Sequence, residues 1–449
     1  MKYNNKLGSL LLTALAVASS FSLQSCKDQP DEFELGSGMP TIYYIRPASI
    51  GASDSLLVEA MPQTNLAIIG ENLTSIQQMY FNDKKAILNT SFITDNALIV
   101  QVPSDIPDEV TDKIYMINSD LDTLTYDFHV IIPAPNVAQM SCEYAAPGSV
   151  ATIYGSYFID DPNVPITVTF PDGQEAEIKA INESRSALTI VVPECTTEGQ
   201  ITVTSVYGTG TSNFRYLDTR GMLFDFDTPH DATGMVLGNH GWHGQVIETD
   251  ETALRGNFLR LGDPSVTLDE NGSWNDGNFS FEYWPGSWDS PQNVTTGDGV
   301  LLTNLVDFSD YANMSYKFEM LVPKANPWMS GAMQIIVGGV DKITLSGNPI
   351  DGYSTVAGAN NTYFNNDELP RGIYRPWEST GSFDTEDQWI TVTIPISEFK
   401  YGMSGGAASG TLNSKDFTSL TIFVVGGGIA GTECNPVIKI DNIRAVPNK

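Results

Sequence analysis

Ile68-Ile69-Gly70-Glu71-Asn72-Leu73 returns further along the chain as Ile153-Tyr154-Gly155-Ser156-Tyr157-Phe158. Two more pairs keep step. Tyr80-Phe81-Asn82 matches Thr169-Phe170-Pro171, and Leu98-Ile99-Val100-Gln101-Val102-Pro103 matches Leu188-Thr189-Ile190-Val191-Val192-Pro193. The separation holds at roughly 85 to 90 residues, the mark of an internal repeat of one domain-sized unit. Each copy is a string of short Val-, Ile- and Tyr-rich runs closed by Gly, Pro or Asn, which is how antiparallel strands and tight turns are written. A unit of this size built from such strands fits an immunoglobulin-like sandwich.

Working outward from the repeat, the copies occupy residues 39–133 and 134–219. Neither contains a tryptophan or a basic cluster, so both read as spacers. Residues 220–449 differ in composition and hold all seven tryptophans: Trp242, Trp274, Trp284, Trp288, Trp328, Trp377 and Trp389. Strand-like runs recur there, among them Leu223 to Phe226, Phe258 to Leu261, Met314 to Leu321, Met333 to Val337, Trp389 to Ile396, Leu420 to Val425 and Val437 to Ile443. They suit a jelly-roll-like β-sandwich. The expected fold class is all-β: two tandem immunoglobulin-like sandwiches followed by a third, larger sandwich.

The densest aromatic text is Gly277-Asn278-Phe279-Ser280-Phe281-Glu282-Tyr283-Trp284-Pro285-Gly286-Ser287-Trp288. Strand alternation puts Phe279, Phe281 and Tyr283 on one face and Ser280, Glu282 and Trp284 on the other. Pro285-Gly286 then turns the chain. Flat aromatics beside polar groups suit a ligand with apolar faces and hydroxyl edges, which describes a sugar. The bland alternative is a core strand with one rim tryptophan. Trp328 after Asn326-Pro327 and Trp377 in Tyr374-Arg375-Pro376-Trp377-Glu378 stand in loop contexts, and Trp242 is flanked by Gly241 and Gly244. Trp389 alternates with Thr391 and Thr393 and reads as structural. Trp274, in an Asn/Asp/Gly loop, is assigned to neither class.

The formal net charge of -31 argues against nucleic acid and anionic surfaces as partners. Neutral polysaccharide is compatible with it. Lys2 and Lys6 precede an apolar run from Leu7 to Leu15, which reads as a signal peptide over residues 1–25. Leu23-Gln24-Ser25-Cys26 resembles a bacterial lipobox, with lipidation expected on Cys26 and a tether over 26–38. The acidic residues after it loosely resemble an outer-surface export signal, so the expected location is the outer membrane, lipid-anchored and facing the exterior. Cys142 and Cys195 share one expected domain and are the candidate disulfide, although spacing alone does not establish it. No cofactor is expected. His230, His240 and His243 lack metal-ligand spacing, and Asp225, Asp227 and Asp441-Asn442 are the only candidates for a structural calcium ion. No pair of carboxylates stands out for hydrolysis. Glu282, beside Trp284, reads as a hydrogen-bonding partner for sugar hydroxyls more readily than as an acid catalyst.

The Gly-x-Asn/Tyr turn and the later Val-x-Val-Pro strand resemble the IPT/TIG family of immunoglobulin-like domains. Residues Asn278 to Trp288, Pro323-Lys324-Ala325-Asn326-Pro327-Trp328, Tyr374 to Glu378 and Trp389 to Phe399 resemble the glycan-binding domain of the surface glycan-binding protein B family of Bacteroidetes lipoproteins. That resemblance implies a non-catalytic cell-surface protein that captures β-glucan or hemicellulose chains of the xyloglucan or mixed-linkage type. It further implies presentation of those chains to a SusC/SusD-type outer-membrane importer and surface glycoside hydrolases. It places the aromatic platform on Trp242, Tyr283 and Trp284, and extends it to Trp288, Trp328 and Trp377, with Glu282 as polar partner. The alternative is an endo-acting glycoside hydrolase carrying immunoglobulin-like spacers.

Overall fold

The computed structural model describes residues 33–52, 54–227, 241–286, 300–345, 347, 349–350, 352–353 and 368–448, which divide into two compact units at Pro133/Ala134. Cys26, with the whole leader, and Trp288 lie outside the described residues, as do His230 and His240. Among the described residues no helix is long and apolar enough to cross a membrane.

The first unit packs a three-stranded antiparallel sheet (Thr41–Pro47, Asn65–Glu71, Ala97–Gln101) against a four-stranded one (Lys84–Lys85, Ile76–Phe81, Lys113–Asn118, Thr123–Asp127). Burial alternates along Lys113–Asn118, so Ile114 and Met116 enter the core while Tyr115 and Ile117 stay at its edge. Ile45, Leu66, Ile68, Leu98 and Val100 of the three-stranded sheet are buried as well.

The repeated Gly-x-Asn/Tyr turn has a steric cause. A Cβ on Gly70 would stand 1.9 Å from the Thr41 carbonyl oxygen, and one on Gly155 would stand 1.8 Å from that of Asn136. In both copies this close approach sits beside a β-bulge, between Ile42 and Tyr44 in the first and between Val137 and Gln139 in the second. Two residues on, Asn72 (φ 56°) and Tyr157 (φ 60°) both take the left-handed conformation. Asn accepts that region more readily than Tyr does.

In the second unit, residues 134–219 repeat the sandwich. A four-stranded sheet (Asn136–Met140, Val150–Ser156, Ala187–Val191, Glu177–Ile181) faces a three-stranded one (Thr167–Thr169, Thr202–Ser205, Gly208–Thr211). Cys142 and Cys195 sit buried in this core as separate thiols, which corrects the disulfide expected from the sequence. Each is packed independently: burial pushes both thiols up, and the Cys195 thiol donates to the Thr197 carbonyl at 3.6 Å.

The larger sandwich pairs a six-stranded sheet with a four-stranded one. The first orders Ile247–Glu248, Phe258–Gly262, Val437–Pro447, Met314–Leu321 and Ile390–Pro395, with Met222–Phe224 also pairing with Val437–Pro447. The second orders Ser280–Tyr283, Ser419–Val425, Ala332–Gly338 and Gly372–Tyr374. Phe224, Leu259, Phe318, Met320 and Ile440 meet Phe281, Tyr283, Ile422, Met333 and Ile335 between the sheets. Fully burying each such side chain contributes roughly 1.5–3 kcal/mol.

Residues 134–219 are not a free spacer with respect to this sandwich. Phe258, Leu321 and Trp389 belong to the same apolar cluster as Val137, Cys142, Tyr144 and Tyr216. Trp389 is structural, its ring edge-on to Phe258 at 5.9 Å and its Nε1 donating to the Thr252 carbonyl at 2.6 Å. Beside it, fully buried Arg444 reaches Glu319 (2.8 and 3.1 Å) and Glu143 (2.8 Å) and lies 5.0 Å from the Tyr144 ring. Lys317 closes the group on Glu143 at 2.6 Å. The Thr391 amide donates to the Ser141 carbonyl at 2.8 Å, crossing the junction backbone to backbone. Burial opposes the charge on Arg444, but Glu319 and Glu143 outweigh it and raise its pKa.

Candidate functional site

The outer face of the four-stranded sheet follows from the register. Ser280 pairs with Phe423 and Glu282 with Thr421, while across the next strand Gln334 pairs with Phe423 and Ile336 with Thr421. Tyr283 points the other way, into the core between the sheets, where its hydroxyl donates to the Val300 carbonyl at 2.8 Å. The strand therefore keeps Tyr283 and Trp284 on opposite faces, and Tyr283 (2% exposed) is not part of a platform.

Trp284 is on the outer face but is covered. It packs with Ile336, Ile343, Leu345 and Leu369, and its Nε1 donates to Thr421 Oγ1 at 3.0 Å. The chain from Gly339 to Leu345 folds back over the sheet, pinned where the Leu345 amide donates to the Pro285 carbonyl. Trp328 and Trp377 are core as well. Their Nε1 groups donate to the carbonyls of Ser330 (2.6 Å) and Gly331 (2.8 Å), and both are 3% exposed or less. All three were expected on the platform and are instead buried anchors, because loops that look exposed in sequence are folded onto the sandwich.

Among the described residues two indoles face water: Trp242 at 42% and Trp274 at 43% exposure. Each is held from behind by another ring. Trp242 meets Trp284 edge-on (5.4 Å, 75°), and Trp274 meets Phe423 edge-on (4.8 Å, 86°). Buried Trp284 is thus the support of the platform rather than its surface.

A polar cluster links the two. His243, next to Trp242, pairs with Asp276 at 3.1 Å. Burial alone would raise the Asp276 carboxyl, but a hydrogen bond from Trp274 and the His243 charge outweigh it and hold it low. Glu282 (6% exposed) accepts the Trp242 amide on Oε2 at 2.6 Å and the Ser280 hydroxyl on Oε1 at 3.3 Å, while Gln245 donates to its backbone carbonyl. Burial pushes its carboxyl up, against those hydrogen bonds. Gly241 lets this contact form, since a Cβ there would stand 2.2 Å from the Glu282 side chain. Glu282 is buried under the Trp242 loop, with Oε2 taken by the Trp242 amide. There it fixes the Trp242 loop, whereas the sequence reading had it as a hydrogen-bonding partner for sugar hydroxyls.

Trp274 is the outward indole that the sequence reading left unassigned. A signal was there: an indole two residues from Asp276 in a loop of Asp, Asn and Gly has few apolar neighbours to bury it. Among the described residues, no three His, Cys, Asp or Glu side chains are grouped to hold a metal ion. Asp225 and Asp227 spend carboxylate oxygens on the amides of Asp227 (3.2 Å) and Asn257 (2.6 Å). They act on Asp441 through their charge. Burial first, then Glu319, Asp227 and Asp225, push the Asp441 carboxyl up to about 8, while its Oδ1 accepts the Asn442 amide.

A family model described as the surface glycan-binding protein B xyloglucan binding domain matches residues 216–447. The chain belongs to the surface glycan-binding protein B family. The crystal structure of surface glycan-binding protein PbSGBP-B from Prevotella bryantii is 44% identical, with the match covering 92% of this chain and 100% of that one at a TM-score of 0.82. A curated IPT/TIG domain-containing protein of Bacteroides ovatus is 25% identical over 279 residues, 58% of this chain and 55% of the relative. The chain spans about half the length of that relative. The surface glycan-binding protein B assignment agrees with the all-β architecture and sets the hydrolase reading aside, because the family is one of glycan binding at the cell surface.

Proposed function

We propose that the larger sandwich holds a neutral β-glucan chain of the xyloglucan type against Trp242 and Trp274, without cleaving it. The observation that carries this is the pair of outward indoles, each braced by an edge-on ring and joined by the His243–Asp276 pair. They lie within the segment matched by a xyloglucan-binding family model. The indole faces stack on the apolar faces of pyranose rings, and the charged groups between them meet the hydroxyl edges. Lipidation of Cys26 holds the protein on the outer membrane, where captured chains pass to a SusC/SusD-type importer and surface hydrolases. Mixed-linkage glucan is the second ligand of the same kind.

Affinity electrophoresis tests the reading. Xyloglucan cast in the gel retards the protein, and the Trp242→Ala/Trp274→Ala double variant runs at its ligand-free position while keeping its melting temperature. Unretarded migration of the wild type in xyloglucan and in mixed-linkage glucan would sink the proposal.

A further inference from the structure

Two strands away from Phe423 on the same outer face lies a cavity of about 270 Å³ lined by Ile373, Arg375, Glu378, Tyr401 and Gly405. Its place follows from the ladder: Phe423 pairs with Gln334, and Gln334 pairs with Ile373. At about 4.8 Å per strand, the Ile373 backbone stands roughly 10 Å from that of Phe423, whose ring the Trp274 indole meets edge-on. That is about one disaccharide repeat of an extended β-glucan.

The ground between is glycine backbone. Gly426, Gly427 and Gly428 have φ of 44°, 89° and 82°, a run that side-chain-bearing residues adopt only with strain. Gly426 donates to the Gly272 carbonyl at 2.7 Å, tying the run to the loop that carries Trp274. The Gly427 carbonyl accepts Arg375 Nη2, tying it to the cavity wall. On the far side Ser404 and Gly405 press so close that a Cβ on Gly428 would stand 2.1 Å from the Ser404 carbonyl oxygen.

The lining is amphipathic and uncharged in sum. Tyr401 supplies a half-buried ring and Ile373 an apolar wall, while Arg375 pairs with Glu378 at 2.9 Å and so does not present a net charge to an anion. The Arg375 side chain is only 10% exposed, and its Nε has no acceptor among the described residues. A volume just under the roughly 300–1,000 Å³ of drug-sized pockets fits one ring, not an oligomer.

We propose that this cavity is a distal subsite that takes one neutral sugar residue of the chain already lying on Trp274, with Tyr401 as its stacking ring and Glu378 and Arg375 as its hydroxyl partners. The inference rests on the platform reading above. It predicts a length dependence. Tyr401→Ala weakens binding of a β-glucan hexasaccharide about tenfold, read by titration calorimetry. The same variant leaves a trisaccharide within about twofold of wild type, read by saturation-transfer NMR. Glu378→Gln serves as the second variant if Tyr401→Ala does not keep the wild-type melting temperature. Unchanged hexasaccharide affinity, or an equal loss for both lengths, overturns the subsite. Trp242→Ala and Trp274→Ala run alongside: if they lose the hexasaccharide while Tyr401→Ala does not, only the subsite fails. If they too retain it, the platform reading itself is wrong.

Discussion

The junction around Arg444 and the face around Trp274 both combine aromatic rings with charged side chains, to opposite ends. At the junction an indole, a tyrosine, two glutamates, a lysine and an arginine are packed between two sandwiches, with Trp389 9% exposed and Arg444 fully buried. At the face an indole pair, a histidine, an aspartate and a glutamate are braced from behind, and the two rings are left open to water. The difference lies in what the second side of each aromatic touches. Where it touches another domain, the group stabilises the architecture. Where it touches solvent, roughly 2 kcal/mol of apolar contact per pyranose face is held ready for a ligand.

The sharpest way to break this contrast is Arg444→Met. It leaves Glu319 and Glu143 buried without their main cation, and breaking such a pair costs about 3–5 kcal/mol. The expected result is a large fall in the melting temperature of the second unit, with weaker glycan binding only in step with unfolding. A variant that melts like wild type would show that the junction does not stabilise the architecture.

Next in size is Asp441→Asn. Its carboxyl is raised to about 8 in the folded state, above its unfolded value near 3.8. The folded state therefore favours the proton: stability is full below about pH 4 and is lost as pH rises toward 8, on the order of a few kcal/mol. Asparagine can still accept the Asn442 amide and has no charge to bury. The variant should melt several degrees above wild type at pH 8, with the gap closing toward pH 4. Superimposable melting-temperature profiles across that range would contradict the assignment.

Single Trp242→Ala and Trp274→Ala variants sharpen the contrast from the other side. Each removes about 2 kcal/mol of stacking, which is roughly a thirtyfold loss of affinity by calorimetry. Melting temperatures should move little, in contrast to Trp284→Ala, which opens a core cavity worth about 3–5 kcal/mol. The smallest effect belongs to Trp389→Phe. It keeps the packing on Phe258 but drops the Nε1 bond to Thr252, a loss of about 1 kcal/mol in stability with glycan affinity unchanged.

Much of the fold was legible because its determinants are local. The repeat, the alternation within strands and the Gly70 and Gly155 turns are all set by neighbours in sequence or by one close backbone approach. The gathering of tryptophans into the last domain was legible too. Which of them face water was not, because that depends on second layers. Alternation correctly separated Tyr283 from Trp284, yet it had no means of showing that Ile343, Leu345 and Leu369 cover the outer face over Trp284. In the same way Trp328 and Trp377 follow prolines in loop-like text but donate their N–H groups to interior carbonyls. The role of residues 134–219 was misjudged for a related reason: Glu143 and Arg444 are far apart in the chain, and no periodicity announces their meeting.

The division of the described indoles into four enclosed rings (Trp284, Trp328, Trp377 and Trp389, none above 9% exposed) and two open ones has an optical consequence. Fluorescence from Trp242 and Trp274 is accessible to a water-borne collisional quencher such as iodide, while the enclosed four are shielded from it. A sugar lying on the open pair would close that access ring by ring. Among the described indoles this makes a built-in light gauge, in which the fraction of emission still open to quenching falls as the glycan settles.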